Sequence, residues 1–516
     1  MFEIAFAQLR FAGSLIFGWP FDVRSLERLV DAARATRREH GSLGRDAAEV
    51  MNGPVLDERD RLAMQLRRFR QQAIRAARET EYYRDLFHRT GFSPALLTTD
   101  DLPLLPITPK ADLRDRPDAF VSRRANVALR STTTGTTGRP TAVSFSEYEL
   151  RVSHALRAFR QVFDGSVTER DILQMNTSSR ATLGNGCAMA AGTRVGATVC
   201  PVGLVDPETS LALLAEPRNL PGKAPKVNLL LVYASYLGEL VETAQRLGYE
   251  PSDFGLEQIM VGGEIVTSGL KARARKVFGD VTFEEGYAMT ETWPLGGARC
   301  SQGHLHFEPS QGLVEVIDPD SGRPARPGTI GTIVATPLPP YRDTTLLLRY
   351  DTEDLVRVLD DSPTCEYRHL PATSNLLGKR RLAVRHTAGW TTPLDVLETL
   401  EALDEVPLPA RCGFWGIEDG VAVEVVLRKV GVSAHAAVRS ALERRGVPVR
   451  QLHLVEHRSE LTRPYPLRAD LRESAFTSAQ RPDLGRHVPG LHVAGLHVAA
   501  THVDAIDSDL LVRAAS

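Results

Sequence analysis

The sequence predicts an α/β protein in which stacked sheets and helices form the bulk of the chain. Three observations carry this. Helix-like stretches alternate with short apolar runs between residues 146 and 278. The stretch 311–358 then turns strand-rich between Pro/Gly turns. Finally, 516 residues with 42% hydrophobic and 24% charged composition can bury a large core and should split into a major and a minor domain.

In chain order, residues 1–21 are apolar but carry Glu3 and Arg10 and lack the basic start and small-residue cleavage site of an export signal. No run reaches the length of a membrane span, so a cytoplasmic location without a membrane partner is expected. Residues 57–79 set Leu62, Met64, Leu66, Phe69, Ala73 and Ala76 among arginines at helical spacing. Helices are predicted over 146–163, 209–215, 235–247 and 269–278, and strands over 197–202, 227–232 and 258–261. Such alternation places ligands at strand ends. Further strands are predicted at 312–317, 331–335 and 345–349, and beyond them a helix at 393–403 and strands at 421–427 and 452–455.

Charge excludes one class of partner. Lys+Arg 62 against Asp+Glu 64 leaves a net charge of −2, so no nucleic acid is expected. The basic residues are almost all arginine, which reads as coding bias and makes each lysine conspicuous, Lys110 and Lys379 among them. Five cysteines are too few and too scattered for a disulfide framework.

Residues 131–141 read Ser-Thr-Thr-Thr-Gly-Thr-Thr-Gly-Arg-Pro-Thr. Glycines let the backbone approach a polyphosphate, free N–H groups and hydroxyls donate to its oxygens, and an arginine balances charge. Thr133, Thr134, Gly135, Thr136, Thr137, Gly138 and Arg139 are therefore candidates to hold nucleotide phosphates. No lysine follows the second glycine, which sets the loop apart from G-x-x-x-x-G-K-[ST]. Three further groups follow in order: Gly262, Gly263 and Glu264 after an apolar run; Tyr287, Ala288, Thr290 and Glu291; and Asp354. Tyr287 offers an aromatic face for a purine, Thr290 a hydroxyl for the α-phosphate, and Glu291 a hard oxygen for magnesium. Asp354 can accept both ribose hydroxyls. Each residue taken singly is more often a packed tyrosine or a solvated acid, so the set carries the reading.

These motifs resemble those of the adenylate-forming superfamily, which includes acyl-CoA synthetases, peptide-synthetase adenylation domains and luciferases. Glu81-Tyr82-Tyr83-Arg84-Asp85-Leu86-Phe87 and the stretch from Leu105-Pro106-Ile107-Thr108-Pro109-Lys110 to Leu113 are similar to the phenylacetate-CoA ligase branch, over roughly residues 75–400. The resemblance implies a large multilayer ATP- and substrate-binding domain over 1–377, with a strand-rich subdomain. It further implies a small, mobile α+β domain over 378–475, swinging on a hinge at Gly378-Lys379, with Lys379 at the nucleotide. Asn185, Gly186, Tyr233, Ser235 and Ala288 fall in segments that usually face the acid. Residues 476–516 form a low-complexity tail with a repeated His-Val, to which no catalytic role is assigned.

The function so implied is activation of a small, aromatic carboxylic acid by ATP and Mg²⁺ as acyl-AMP, with pyrophosphate release and transfer to CoA or another nucleophile. Related ligases carry a structural zinc, for which Cys300, His306, Cys365 and His369 offer two sulfurs and two imidazoles. Two buried thiols and two surface histidines are the plainer reading. One departure matters: where the family's small-domain lysine is expected, the chain reads Leu461-Thr462-Arg463-Pro464-Tyr465-Pro466-Leu467-Arg468. Arg468 or Arg463 stands in, or the cation comes from elsewhere. Atypical chemistries stay open, namely a diazotase of specialised metabolism that activates nitrite for an aryl amine, an amide synthetase, or a silent nucleotide-binding relative. The oligomeric state is open too, a homodimer included.

Overall fold

The computed structural model describes residues 2–41, 43, 56–98, 101–133, 140–387 and 389–466. The described residues all fall within one compact unit. Arg468 and the His-Val tail lie outside the described residues.

Four helices open the chain: α1 (Phe2–Phe17), α2 (Val23–His40), α3 (Glu58–Glu79) and α4 (Glu81–Thr90). Asp57 caps α3 by accepting the Asp60 N–H, as the acidic first turn of a helix favours. A short helix, α5 (Lys110–Asp115), precedes the antiparallel hairpin of β1 (Val127–Thr132) and β2 (Ala142–Ser146). Ser146 and Glu149 form a capping box that starts α6 (Glu147–Asp164).

The chain then alternates: β3 (Ile172–Asn176), α7 (Thr182–Val195), β4 (Thr198–Pro201), α8 (Pro207–Ala215), β5 (Leu229–Tyr233), α9 (Ala234–Leu247), β6 (Gln258–Gly262), α10 (Ser268–Phe278) and β7 (Thr282–Ala288). Strands β4, β3, β5, β6 and β7 pair in parallel in that order. Helices cover both faces, so side chains alternate between two cores. Leu173, Met175, Leu229 and Met260 join residues of α1, α2, α6 and α7 on one face, while Leu230, Val232, Ile259 and Val261 join α8, α9 and α10 on the other.

Strands β8 (Gly296–Arg299) and β9 (Leu305–Phe307) extend the sheet antiparallel from β7. An antiparallel sheet follows from β10 (Gly312–Ile317), β11 (Ile330–Pro337) and β12 (Tyr350–Arg357). Its third strand departs from the sequence reading: residues 345–349 are not a strand, apart from a single bridge between Thr345 and Val121. Leu346, Leu347 and Leu348 are all fully buried, so no in-and-out alternation exists there, and Arg349 at φ 45° turns the chain into β12. Strand β13 (Ala372–Thr373) caps the large sheet beside β9, and β14 (Gly378–Lys379) the second beside β12.

The C-terminal part holds a hairpin of β15 (Val384–His386) and β16 (Gly389–Thr391), helix α11 (Pro393–Leu400), strands β17 (Cys412–Ile417) and β18 (Gly420–Val426), helix α12 (Val432–Arg444) and β19 (Val449–Val455). Its core takes in Ile265 from the preceding part of the chain. Polar contacts fasten it further. Glu401 accepts from Thr267 Oγ1 at 2.6 Å and from the Ala410 N–H at 3.2 Å. Glu242 accepts from the Leu408 N–H at 2.9 Å and pairs with Arg273 and Arg428. Gly238 and Gly269 let backbone meet backbone there, since a Cβ on Gly238 would lie 2.7 Å from Pro409 N.

Candidate active site at the carboxyl edge of the parallel strands

Two of the sequence motifs, 262–264 and 287–291, lie at the carboxyl ends of parallel strands, where the loops crowd one edge of the sheet. Thr177 follows β3, Tyr233 closes β5, Gly262 closes β6 and Tyr287 lies at the end of β7. The β1–β2 hairpin presents the hydroxyl-rich loop. Its mouth is closed by Thr133, whose N–H donates to Thr141 O and whose Oγ1 accepts from the Thr141 N–H, both at 3.0 Å. Thr134, Gly135, Thr136, Thr137, Gly138 and Arg139 lie outside the described residues.

Two cation–carboxylate pairs form the centre. Glu291 is 1% exposed, and Lys110 Nζ reaches its Oε1 at 2.9 Å while the Tyr350 hydroxyl donates to the same oxygen at 3.3 Å. Burial alone would push the Glu291 carboxyl up, but the Lys110 ammonium, helped by Lys379, holds it below the ordinary carboxylate value. Burial likewise pulls Lys110 down, and Glu291, with Asp354 and Glu353 behind it, outweighs that and raises it. In the second pair, Lys379 Nζ lies 2.7 Å from Asp354 Oδ1, a consequence of Asp354 facing Lys379 across β12 and β14. The Tyr287 hydroxyl donates to the other Asp354 oxygen at 2.9 Å. Burial, then the Asp354 charge, pushes the Tyr287 phenol far up, so it stays a donor.

Of the predicted acid-facing residues, Gly186 faces open space, as does Gly262 at the end of β6. A Cβ on Gly186 or Gly262 would meet nothing within 4 Å. Asn185 does not stand free: it accepts from Thr177 Oγ1 at 2.7 Å and donates to Ser178 O at 2.9 Å, tying the loop after β3. Ser235 and Glu264 are mutually engaged, the serine N–H and hydroxyl donating to the carboxylate at 2.6 and 2.9 Å, which caps α9. Gly263, at φ 77°, turns against the Tyr233 ring, and burial pushes that phenol up to about 12. Ala288 is exposed at the end of β7 and Thr290 half-buried beyond it.

The sequence reading missed Lys110 as a site residue. It lies 181 positions before Glu291 in the chain, on a short helix outside the parallel sheet, so only its rarity flagged it. Arg463 sits over the Trp415 ring, 4.9 Å from its centroid. The preceding Thr462 is held by Glu424, and the following Tyr465 is buried beside Phe414.

A second cluster forms at the β8–β9 hairpin. Ligand atoms of Cys300, His304, His306 and Cys365 lie within 4.8 Å of one another, with Cys365 Sγ 3.2 Å from His306 Nε2. The fourth member is His304 where the spacing had pointed to His369, which stays outside the group. His304 and His306 are two apart on one extended segment and so share a face. The buried Nδ1 of His304 has no hydrogen-bond partner among the described residues. Two sulfurs and two imidazoles at this separation fit a closed tetrahedral zinc site.

Residues 72–336 match the family model described as AMP-binding enzyme. A phenylacetate-coenzyme A ligase of Thermus thermophilus is 28% identical over 60% of this chain and 68% of its own length. One from Escherichia coli is 26% identical over 58% and 67%. Among solved structures, a 2-hydroxyisobutyryl-CoA ligase in the postadenylation state superposes with a TM-score of 0.64 at 20% identity, covering 79% of this chain and 88% of that one. None of the described helices is long and apolar enough to cross a membrane.

Proposed function

The chain belongs to the AMP-binding enzyme family and is an ATP-dependent, AMP-forming ligase, and on that premise we propose that it activates a small aromatic carboxylic acid as acyl-AMP and passes the acyl group to CoA. The observation that carries this is the meeting of the Lys110–Glu291 and Lys379–Asp354 pairs, close enough that Lys379 helps hold the Glu291 carboxyl down. The names of the phenylacetate ligases support an aromatic acid, and an open, weakly polar lining suits a flat ring.

In the first half-reaction a carboxylate oxygen of the acid bonds to the α-phosphorus while the bond from that phosphorus to the bridging oxygen breaks, releasing pyrophosphate. Lys110 neutralises charge growing on the α-phosphate, taking the place of the absent small-domain lysine, and Thr290 donates a hydroxyl. Glu291 would hold magnesium, a hard cation suited to one carboxylate plus phosphate oxygens and water, and bound there it would neutralise phosphate charge. Tyr287 and Asp354 hold the nucleoside, with Lys379 yielding one Asp354 oxygen to the ribose. In the second half-reaction the CoA sulfur attacks the acyl carbon and AMP leaves.

The test is incubation with ATP, magnesium and a panel of aryl acids, with and without CoA, amines or nitrite, following pyrophosphate and AMP. Release that requires an aryl acid and ends in a thioester is expected. Proline at position 466, where a lysine was expected, favours a second reading: release only with nitrite or an amine would assign a diazotase or amide synthetase instead.

The Cys300, His304, His306 and Cys365 group would hold one zinc ion, pinning the β8–β9 hairpin to the segment around Cys365. Elemental analysis is expected to find about one zinc per chain, lost in His304→Ala and kept in His369→Ala, with a lower melting temperature in the first. Metal-free protein whose melting is indifferent to chelator would remove this site.

A further inference from the structure

Helix α1 is apolar on two opposite faces. Ala7, Phe11 and Leu15 point inward and join the core with α2 and α6. On the other side Phe2, Phe6, Leu9, Gly13 and Ile16 recur at intervals of four, three, four and three, the spacing of a seam that packs against another helix. Phe17 borders this strip, and Trp19 folds back over Gly13. The Phe17 and Trp19 rings stack at 5.1 Å, and a Cβ on Gly13 would fall 2.8 Å from the indole. Gly13 is buried under Trp19 and the Arg10 guanidinium lies over the Phe6 ring, but most of the strip stays open among the described residues: Phe2 is 94% exposed, Leu9 70% and Trp19 59%.

A helix apolar all round belongs in an interior. The strip exposes on the order of 700–800 Å² of apolar surface, above the roughly 300–600 Å² of the largest patch on an ordinary monomer. It approaches the roughly 800 Å² that each partner brings to a stable interface. Of its bordering charges, Glu3 lies 3.8 Å from Arg28 and Arg10 3.7 Å from Asp22, while Arg67 donates to the Ile16 carbonyl. Among the described residues the strip therefore lacks the uncompensated basic row that seats an amphipathic helix on anionic headgroups.

We propose that α1 is a dimerisation helix, its strip packing on the same strip of a second copy about a two-fold axis. The strip is self-complementary in kind: apolar, heptad-spaced and edged by charges of both signs. This surface is independent of the nucleotide site and of the reaction assigned to it.

Sedimentation velocity of the full chain at micromolar concentration tests the proposal, with the double variant Phe6→Glu, Leu9→Glu as comparison. Both side chains point to solvent, so unchanged thermal melting is expected in the variant. The wild type should sediment as a dimer and the variant as a monomer. A monomeric wild type overturns the proposal, as does a dimer that survives both substitutions. A monomeric wild type that floats with neutral phosphatidylcholine vesicles would give the strip to a lipid surface and also overturn it.

Discussion

Lys110→Met is expected to slow adenylate formation by about 10²–10³-fold, the scale on which one preorganised donor to developing charge acts. The loss should fall on kcat, because the interaction strengthens only as charge builds at the α-phosphate. Methionine keeps the length of the side chain, so packing changes little. Glu291 would then be buried without its partner. Its carboxyl, held down now by Lys110, should move up and take a proton more readily, which spares the fold part of the roughly 3–5 kcal/mol that a broken buried pair costs. Pyrophosphate release under single-turnover conditions measures the effect. Wild-type rates in Lys110→Met together with a collapse in Arg468→Ala would return the catalytic cation to the small domain.

Glu291→Gln should cut AMP formation by about 10³-fold, with no rescue by raised magnesium, since an amide is a poor ligand for a hard dication. The glutamine is preferable to alanine. Alanine would empty a fully buried site as well as strip Lys110 of its partner, confusing a lost metal ligand with a loosened core. The double variant Lys110→Met, Glu291→Gln separates the two effects. It removes both charges, so its melting temperature should recover toward the wild type while its activity does not. Full activity in Glu291→Gln would remove the residue from the phosphate site.

Most of what the sequence spells out locally the structure reproduces, the strand expected at 345–349 excepted. Strand β10 runs over the predicted residues 312–317, and the helices predicted over 146–163 and 235–247 lie within a residue or two of α6 and α9. Periodicity over a dozen residues is a local signal. Helix α7 escaped because Gly184, Gly186 and Gly192 weaken its helical signature, and α1 because a helix apolar on two faces shows no clean stripe. At the site, Tyr287, Glu291 and Asp354 were legible because each sits in a contiguous motif. Lys110 was not, since its ion pair joins segments that touch only after folding. His304 was passed over for a similar reason. Regular Cys-to-His spacings drew attention to His369, whereas the pairing of two imidazoles two residues apart depends on a hairpin that spacing alone does not announce.

Adhesion between the C-terminal part and the rest of the chain has a kinetic meaning. Ile265 and Leu408 each enter an apolar core across the join, and its polar ties are Glu242, Glu401 and their arginine and threonine partners, Ser268 with Glu398, Arg411 with Glu239, Arg385 with Asp320, and two glycine contacts. If turnover requires this part to swing about residues 378–381, these ties act as a clutch. Parting an ionic join returns its charges to water, where each exposed pair is worth only about 0–1 kcal/mol. Parting a greasy one would expose hydrocarbon at roughly 25 cal/mol per Å². A clutch of this composition slips more readily as ions are added, so the pace of the second half-reaction should follow ionic strength while that of the first does not.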